Sequence, residues 1–163
     1  LTLAKADDGL PPALQEVDVD DLVDVEVRRL RATVEFPVTA SIAAARVTGD
    51  PGRLSQAIRN LVDNAARHTT GGVDLAVGID AGDVVVTVDN DGPPIPEDER
   101  DRVFDRFARL EEARDRDRGG SGLGLAIVRT VVEAHGGTVQ AGVSPTGQCR
   151  FEIRLPRDGA SST

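Results

Sequence analysis

Gly119-Gly120-Ser121-Gly122-Leu123-Gly124-Leu125-Ala126-Ile127-Val128 sets alternating glycines directly before an apolar helical pattern. Glycine allows positive φ angles and close approach of the backbone to a ligand, and the helix that follows presents its N–H groups to an anion. The stretch reads as a loop shaped to hold phosphate, which makes nucleotide the first ligand to consider. A dinucleotide fingerprint of the form G-x-G-x-x-G needs glycine where Leu125 stands. A Walker loop needs a Gly-Lys pair, and the only lysine in the chain is Lys5. If the loop binds nucleotide, it does so in a third way.

A chain of 163 residues with a hydrophobic fraction of 39% is enough for one domain with a single core. The absence of methionine, including at position 1, points to a fragment or processed product. No apolar run approaches the roughly 20 residues that span a bilayer, and no charged leader precedes an apolar segment at the start, so this piece is expected to be soluble. A net charge of −9 argues against general nucleic-acid binding, which needs basic surfaces. With 2% aromatic residues and no Trp or Tyr, Val, Leu, Ile and Ala must fill the core, and nothing is left for base-stacking platforms. Cys149 is alone and cannot form an internal disulfide. It reads as a small buried apolar residue, with no neighbouring His or Lys in sequence to lower its pKa.

Leu1 to Asp8 reads as the end of a helix, broken by Gly9-Leu10-Pro11-Pro12, and the whole of residues 1–16 as helix end plus linker. A short strand is predicted at Val17 to Val19 and a helix from Asp20 to Arg31. Strands follow at Ala32 to Ser41 and Ala45 to Thr48, the first interrupted by Pro37 and therefore at an edge or irregular. Asp50-Pro51 opens the clearest helix, with Leu54, Ala57, Ile58, Leu61, Val62 and Ala65 on its apolar stripe. Val73 to Ile79 and Val84 to Val88 form a hairpin around Asp80-Ala81-Gly82-Asp83. Asp91 to Ser121 carries three prolines, many charges and one apolar patch at Phe104 and Phe107, a length of loop that is usually functional. A helix from Gly122 to His135, with Leu123, Ile127, Val128, Val131 and Ala134 inward, stops at Gly136-Gly137. A hairpin of Val139 to Val143 and Gln148 to Leu155 closes the domain, and residues 157–163 form a disordered tail. This is the pattern of an α+β fold, a two-layer sandwich with a mixed, mostly antiparallel sheet on about three helices.

Asn60 and Asn64 lie four residues apart and share a helix face, continued by Arg67 and His68. An amide oxygen can complete an octahedral Mg²⁺ shell made chiefly by water and phosphate, while a guanidinium offsets phosphate charge. Taken alone, the same stripe is also what a solvated helix face looks like. Asn90-Asp91-Gly92-Pro93-Pro94-Ile95-Pro96 ends a strand in constrained backbone. Arg106, Arg109, Arg114, Arg116 and Arg118 add positive charge beyond it, of which Arg114 and Arg116 read most simply as solvated.

In this order the pieces resemble the ATP-binding catalytic domain of bacterial sensor histidine kinases, in the superfamily of DNA gyrase, the MutL ATPases and the heat-shock chaperone ATPases, whose fold is of the Bergerat type. The resemblance covers about Val17 to Pro156. Leu61-Val62-Asp63-Asn64-Ala65-Ala66-Arg67-His68-Thr69 is similar to the asparagine box, Asn90 to Pro96 to the first glycine box, Val103-Phe104-Asp105-Arg106-Phe107 to the phenylalanine box, and Gly120 to Gly124 to the second glycine box. The resemblance implies that Asn64 ligates Mg²⁺, that Asn60 helps to place metal and phosphate, and that Arg67 contacts phosphate, these three being the catalytic set. It implies an ATP site that also includes His68, Asn90, Gly92, Ile95, Phe107, Arg109, Gly120, Ser121, Gly122, Leu123, Gly124 and Leu125, with residues 96–121 as a lid.

The resemblance further implies transfer of the ATP γ-phosphoryl group to a histidine on the parent's dimerisation domain, then to a response regulator. The phosphoacceptor is absent, since His68 and His135 both fall in catalytic-domain motifs. The parent would be a homodimeric membrane sensor, and this domain cytoplasmic and monomeric alone. Two departures stand out. The family places Asp where Asn90 stands, to accept from the adenine amino group, and Gly where Pro94 stands. An amide carbonyl can accept the same bond, and Asp89 or Asp91 could be mistaken for the missing carboxylate; Pro94 stiffens the start of the lid. Alternatives on the same fold are an anti-sigma-type serine kinase or a gyrase-like ATP hydrolase, and a non-catalytic nucleotide-binding regulatory module is a third. Against hydrolysis, Asn60 stands where the gyrase-like enzymes carry a glutamate base, and an amide cannot take a proton from water.

Overall fold

The computed structural model describes residues 14–106 and 123–157. The predicted N-terminal helix end, the C-terminal tail from residue 158 and the greater part of the lid lie outside the described residues. The order is β1 (Gln15–Asp18), α1 (Val19–Thr33), β2 (Val38–Ile42), β3 (Arg46–Gly49), α2 (Pro51–His68), β4 (Val73–Asp80) and β5 (Asp83–Asn90). Two 3-10 turns at Glu97–Glu99 and Arg102–Phe104 precede α3 (Gly124–Ala134), β6 (Thr138–Val143) and β7 (Cys149–Pro156).

Period-two alternation makes the sheet one-sided. Val73, Leu75 and Val77, Val84, Val86 and Val88, and Phe151, Ile153 and Leu155 are buried on one face against α1, α2 and α3. Asp74, Arg150, Glu152 and Arg154 alternate with them. The five strands run in the order β2-β4-β5-β7-β6, with only the β2–β4 pair parallel. This is the mixed two-layer sandwich the sequence predicts. Strand β1 pairs with β3 in a separate two-stranded sheet, a division the periodicity does not reveal.

The predicted strand over Ala32 to Ser41 is corrected. Helix α1 continues to Thr33, whose hydroxyl donates to the carbonyls of Arg29 and Leu30, and β2 begins only at Val38. Arg31 and Ala32 favour helix, while Pro37 cannot continue it. Pro37 does precede an edge strand: its carbonyl accepts from Val73 N–H at 3.1 Å, and Arg31 donates from Nε and Nη2 to the Val38 carbonyl.

Helix α2 starts as its sequence dictates. The Asp50 carboxylate accepts from the N–H groups of Gly52 and Arg53 at 3.0 and 3.2 Å, with Pro51 in the first turn. Helix α3 ends in a Schellman motif in which Gly137 N–H bonds the Val132 carbonyl and Gly136 N–H that of Glu133. Gly136 takes φ 78°, and a Cβ on Gly137 would lie 2.1 Å from the Arg154 carbonyl oxygen, so both positions require glycine. His135 caps α3 instead of extending it, and Val132, not Ala134, joins Val128 and Val131 in the core. The predicted helix start at Gly122 lies outside the described residues, the first helical residue described being Gly124.

Candidate nucleotide-binding site

The apolar stripe of α2 fixes which way its polar stripe points. With Leu54, Ala57, Ile58, Leu61, Val62 and Ala65 buried on the sheet side, Asn60 and Asn64 are held half-buried, and Arg67 and His68 exposed. Asn60 donates from Nδ2 to the Gly124 carbonyl at 3.2 Å, which joins α2 to the first residue of α3. Its Oδ1 is then the atom that remains to accept or to ligate. Leu123, the N-cap of α3, contributes no side-chain capping bond. Leu123, Gly124 and Leu125 are all half-buried at this end.

The turn after β5 meets the C-terminus of α2. Thr69 Oγ1 accepts from the N–H groups of Gly71, Gly72 and Asp91 and donates to the Gly72 carbonyl, while Thr70 bonds the Asp91 carbonyl through its N–H and its hydroxyl. Gly92 sits in the angle so formed. A Cβ there would lie 2.7 Å from the His68 carbonyl oxygen and 2.8 Å from Asn90 Nδ2, a closeness only glycine tolerates. Asn90 is 2% exposed, and Ile95 is buried beyond it with its carbonyl bonded by Arg100 Nε at 3.0 Å.

The three neighbouring acidic and amide positions 89 to 91 take different roles. Asp89 falls on the outward face of the sheet, where Arg150 grips it with Nε and Nη2 at 2.8 and 2.9 Å. That contact and the Asp89 charge raise the Arg150 guanidinium above its ordinary pKa against the opposing effect of burial. Asp91 is exposed. Asn90, paired in register with Val73 and Cys149 on the core face, is therefore the polar side chain of the three on the helix side of the sheet. Burial pushes the Cys149 thiol above its ordinary pKa, as suits an inert core residue.

Helix α3 also holds the segment at 97–104. Arg129 lies 4.8 Å from the Phe104 ring centroid and bonds Asp101 Oδ1 at 2.5 Å, while Phe104 meets Phe151 edge-on at 5.9 Å. At the other end of α3, Asp50 N–H donates to His135 Nε2 at 3.0 Å, and His135 Nδ1 lies 2.8 Å from the Val131 carbonyl, so the proton sits on Nδ1. Sequence reasoning passed over Thr69, Arg129, Arg150 and His135 as positioning groups. Only Thr69 carried a local signal, a hydroxyl placed just after a helix. Phe107, Arg109, Gly120, Ser121 and Gly122 lie outside the described residues.

No three His, Cys, Asp or Glu side chains gather to hold a metal among the described residues. A donor set of neutral amides beside Arg67, which has no ion pair among the described residues, suits a metal that arrives with phosphates and keeps most of its own water. An amide stripe facing the N-terminus of a glycine-led helix, on the helical layer of a one-sided sheet, defines a nucleotide-binding α+β sandwich. The chain belongs to the histidine kinase-, DNA gyrase B-, and HSP90-like ATPase family, which matches residues 49–159.

Within that family it is 43% identical over 108 residues to the sensor histidine kinase CpxA of Escherichia coli (strain K12), covering 66% of this chain and 24% of that protein. It is 38% identical over 168 residues to the probable sensor histidine kinase TcrY of Mycobacterium tuberculosis (strain H37Rv), covering 98% of this chain and 34% of that protein. Among solved structures, the mycobacterial sensor histidine kinase MprB superposes with a TM-score of 0.76 at 31% identity, covering 88% of this chain and 97% of that one. The chain thus spans a quarter to a third of the length of these two curated relatives. The resemblance drawn from the four sequence boxes is borne out, and ATP is the nucleotide of the family. No helix among the described residues is long and apolar enough to cross a membrane.

Proposed function

We propose that this chain is the catalytic domain of a sensor histidine kinase, residues 17–156, which binds Mg-ATP and presents the γ-phosphoryl group to a histidine on the parent's dimerisation domain. The observation that carries the reading is the bond from Asn60 Nδ2 to the Gly124 carbonyl, which brings the amide stripe of α2 and the glycine-led end of α3 to one place. The Asn64 amide oxygen would hold Mg²⁺, which when bound supplies charge neutralisation for the phosphates. Asn60 orients the metal and phosphate groups through Oδ1, and the exposed Arg67 guanidinium offsets phosphate charge. The amides of Gly122, Leu123 and Gly124 cradle the phosphates. Asn90 accepts from the adenine amino group through its carbonyl, beside His68, Gly92 and Ile95.

The reaction breaks the bond between the γ-phosphorus and the ADP oxygen and forms a phosphorus–nitrogen bond to the acceptor imidazole. It needs positioning and charge stabilisation more than covalent participation by the protein. Asn60 offers no base for water, which favours transfer over hydrolysis. Residues 1–16 join the domain to the dimerisation helices of a homodimeric parent, residues 96–121 close over ATP with Phe107, Arg109, Gly120 and Ser121, and a response regulator takes the phosphate onward. The site faces the cytoplasm of a membrane sensor.

The test is to incubate the chain with Mg-ATP and the parent's histidine-containing domain. An acid-labile, base-stable phosphate on that domain supports the kinase, and tight nucleotide binding without transfer overturns it. Asn64→Ala should abolish Mg-dependent ATP binding with the fold intact, and unchanged affinity in calorimetry would remove the metal assignment.

A further inference from the structure

Beside the amide stripe of α2 lies a charged residue for which the proposed chemistry has no use. Asp63 follows Asn60 by three positions and precedes Arg67 by four, so on an α-helix its carboxylate is a neighbour of both. An acid four residues before an arginine is the favourable order for an intrahelical pair. That pair does not form: among the described residues Arg67 has no ion pair, and Asp63 Oδ1 is held by Arg29 Nη2 of α1 at 2.7 Å. Arg29 is itself fixed by its own helix, where Nε and Nη2 lie 2.8 and 2.6 Å from Glu26 Oε1. Glu26 is only 3% exposed. A buried carboxylate without a partner is strongly disfavoured, so Glu26 keeps the guanidinium in place. Burial opposes the charge on Arg29, but the bonds to Asp63 and Glu26 outweigh it and raise the guanidinium above its ordinary pKa.

We infer that Arg29, set by Glu26, is a positioning residue that sequesters Asp63 and so leaves Arg67 available for nucleotide phosphate. The inference rests on the proposed role of Arg67. Without Arg29, the Asp63 carboxylate would turn along its helix to Arg67, offset the guanidinium charge meant for phosphate and bring a carboxylate beside the Asn60 and Asn64 amides. The Glu26–Arg29–Asp63 chain also ties α1 to α2, and a purely mechanical tie makes a different prediction, which a second substitution separates.

The experiment measures ATP affinity by calorimetry at saturating Mg²⁺, together with Tm, for the full chain. Arg29→Met is expected to weaken ATP binding about fivefold, the scale of one close contact between unit charges in water. In Arg29→Met/Asp63→Asn the competing charge is gone, and affinity returns to within about twofold of wild type while Tm stays lowered, because Glu26 remains unpartnered. If the double variant binds as weakly as the single one, the link is mechanical and the inference is overturned. Should Arg29→Met not fold, Arg29→Gln keeps a donor for Glu26 and carries the same comparison. Arg67→Ala separates the premise: if it binds ATP as wild type does, the phosphate role of Arg67 fails and the inference with it. If it binds weakly and Arg29→Met binds normally, only the role of Arg29 fails.

Discussion

Asn60 Nδ2 reaches the carbonyl of Gly124 at 3.2 Å across 64 residues of sequence. One amide thereby holds the first residue of α3 with its nitrogen, and its oxygen is the atom proposed to meet the ligand. Asn60→Ala removes both, and ATP affinity measured by calorimetry should fall about tenfold, the scale of a lost hydrogen bond together with a lost polar ligand contact. Asn60→Asp offers no amide donor to the carbonyl and should not restore it. Full affinity in the alanine variant would detach this residue from the site.

The joint between α2 and the turn after β5 has no room for a side chain. Gly92→Ala sets a methyl against the His68 carbonyl and the Asn90 amide. Overpacking of this kind costs about 1–3 kcal/mol. Chemical denaturation should show that loss with an unchanged m-value, and nucleotide affinity should fall with it because Asn90 must move. A variant as stable as wild type would mean that the turn yields at no cost.

Between β4 and β5 the chain makes its two-residue turn with Ala81 at φ 53° and Gly82 at φ 84°. Alanine is a poor residue for the left-handed region, and the first position of this turn type favours asparagine. Ala81→Asn should raise stability by about 0.5–1 kcal/mol. The turn lies at the far end of β5 from Asn90, so ATP affinity should not change. Thermal unfolding in the presence and absence of nucleotide checks both parts.

Cys149 gives stability a dependence on alkaline pH. Burial raises its folded pKa above the ordinary 9.0, so the folded thiol stays protonated where the unfolded one ionises. Its contribution is therefore complete below pH 9.0 and is lost as the pH climbs through the raised folded value. The chain has no tyrosine and a single lysine, so few other groups titrate in that window. Denaturation midpoints should fall above pH 9.0 in the wild type and less steeply in Cys149→Ala. Parallel profiles would assign the slope to another group.

Local chemistry made much of this protein legible. Asp50-Pro51 could only begin a helix, Gly136-Gly137 could only end one, and the alternation through Val73 to Val88 could only be a hairpin with one apolar face. The polar stripe of Asn60, Asn64 and Arg67 followed from the same periodicity, because burying one side of α2 exposes the other. Where the signal was short or shared between helix and strand, it misled: Ala32 and Thr33 were taken into α1 by the helix preceding them. The separate β1–β3 sheet has no periodicity of its own that sets it apart from the main one.

The elements, the one-sided core and the order of the motifs follow from local chemistry along the chain, since each depends on residues a few positions apart. The tertiary fold sets which polar groups meet. Asp89 goes to Arg150, Asp63 to Arg29, Asp101 to Arg129, and Asp50 N–H to His135, each pair separated by 28 to 85 residues. Any of the many acids could pair with any arginine as far as composition shows. Strand parity and helix packing select one partner for each. That selection leaves Asn90, and not its acidic neighbours, on the helix side of the sheet, and Arg67 without an acid among the described residues.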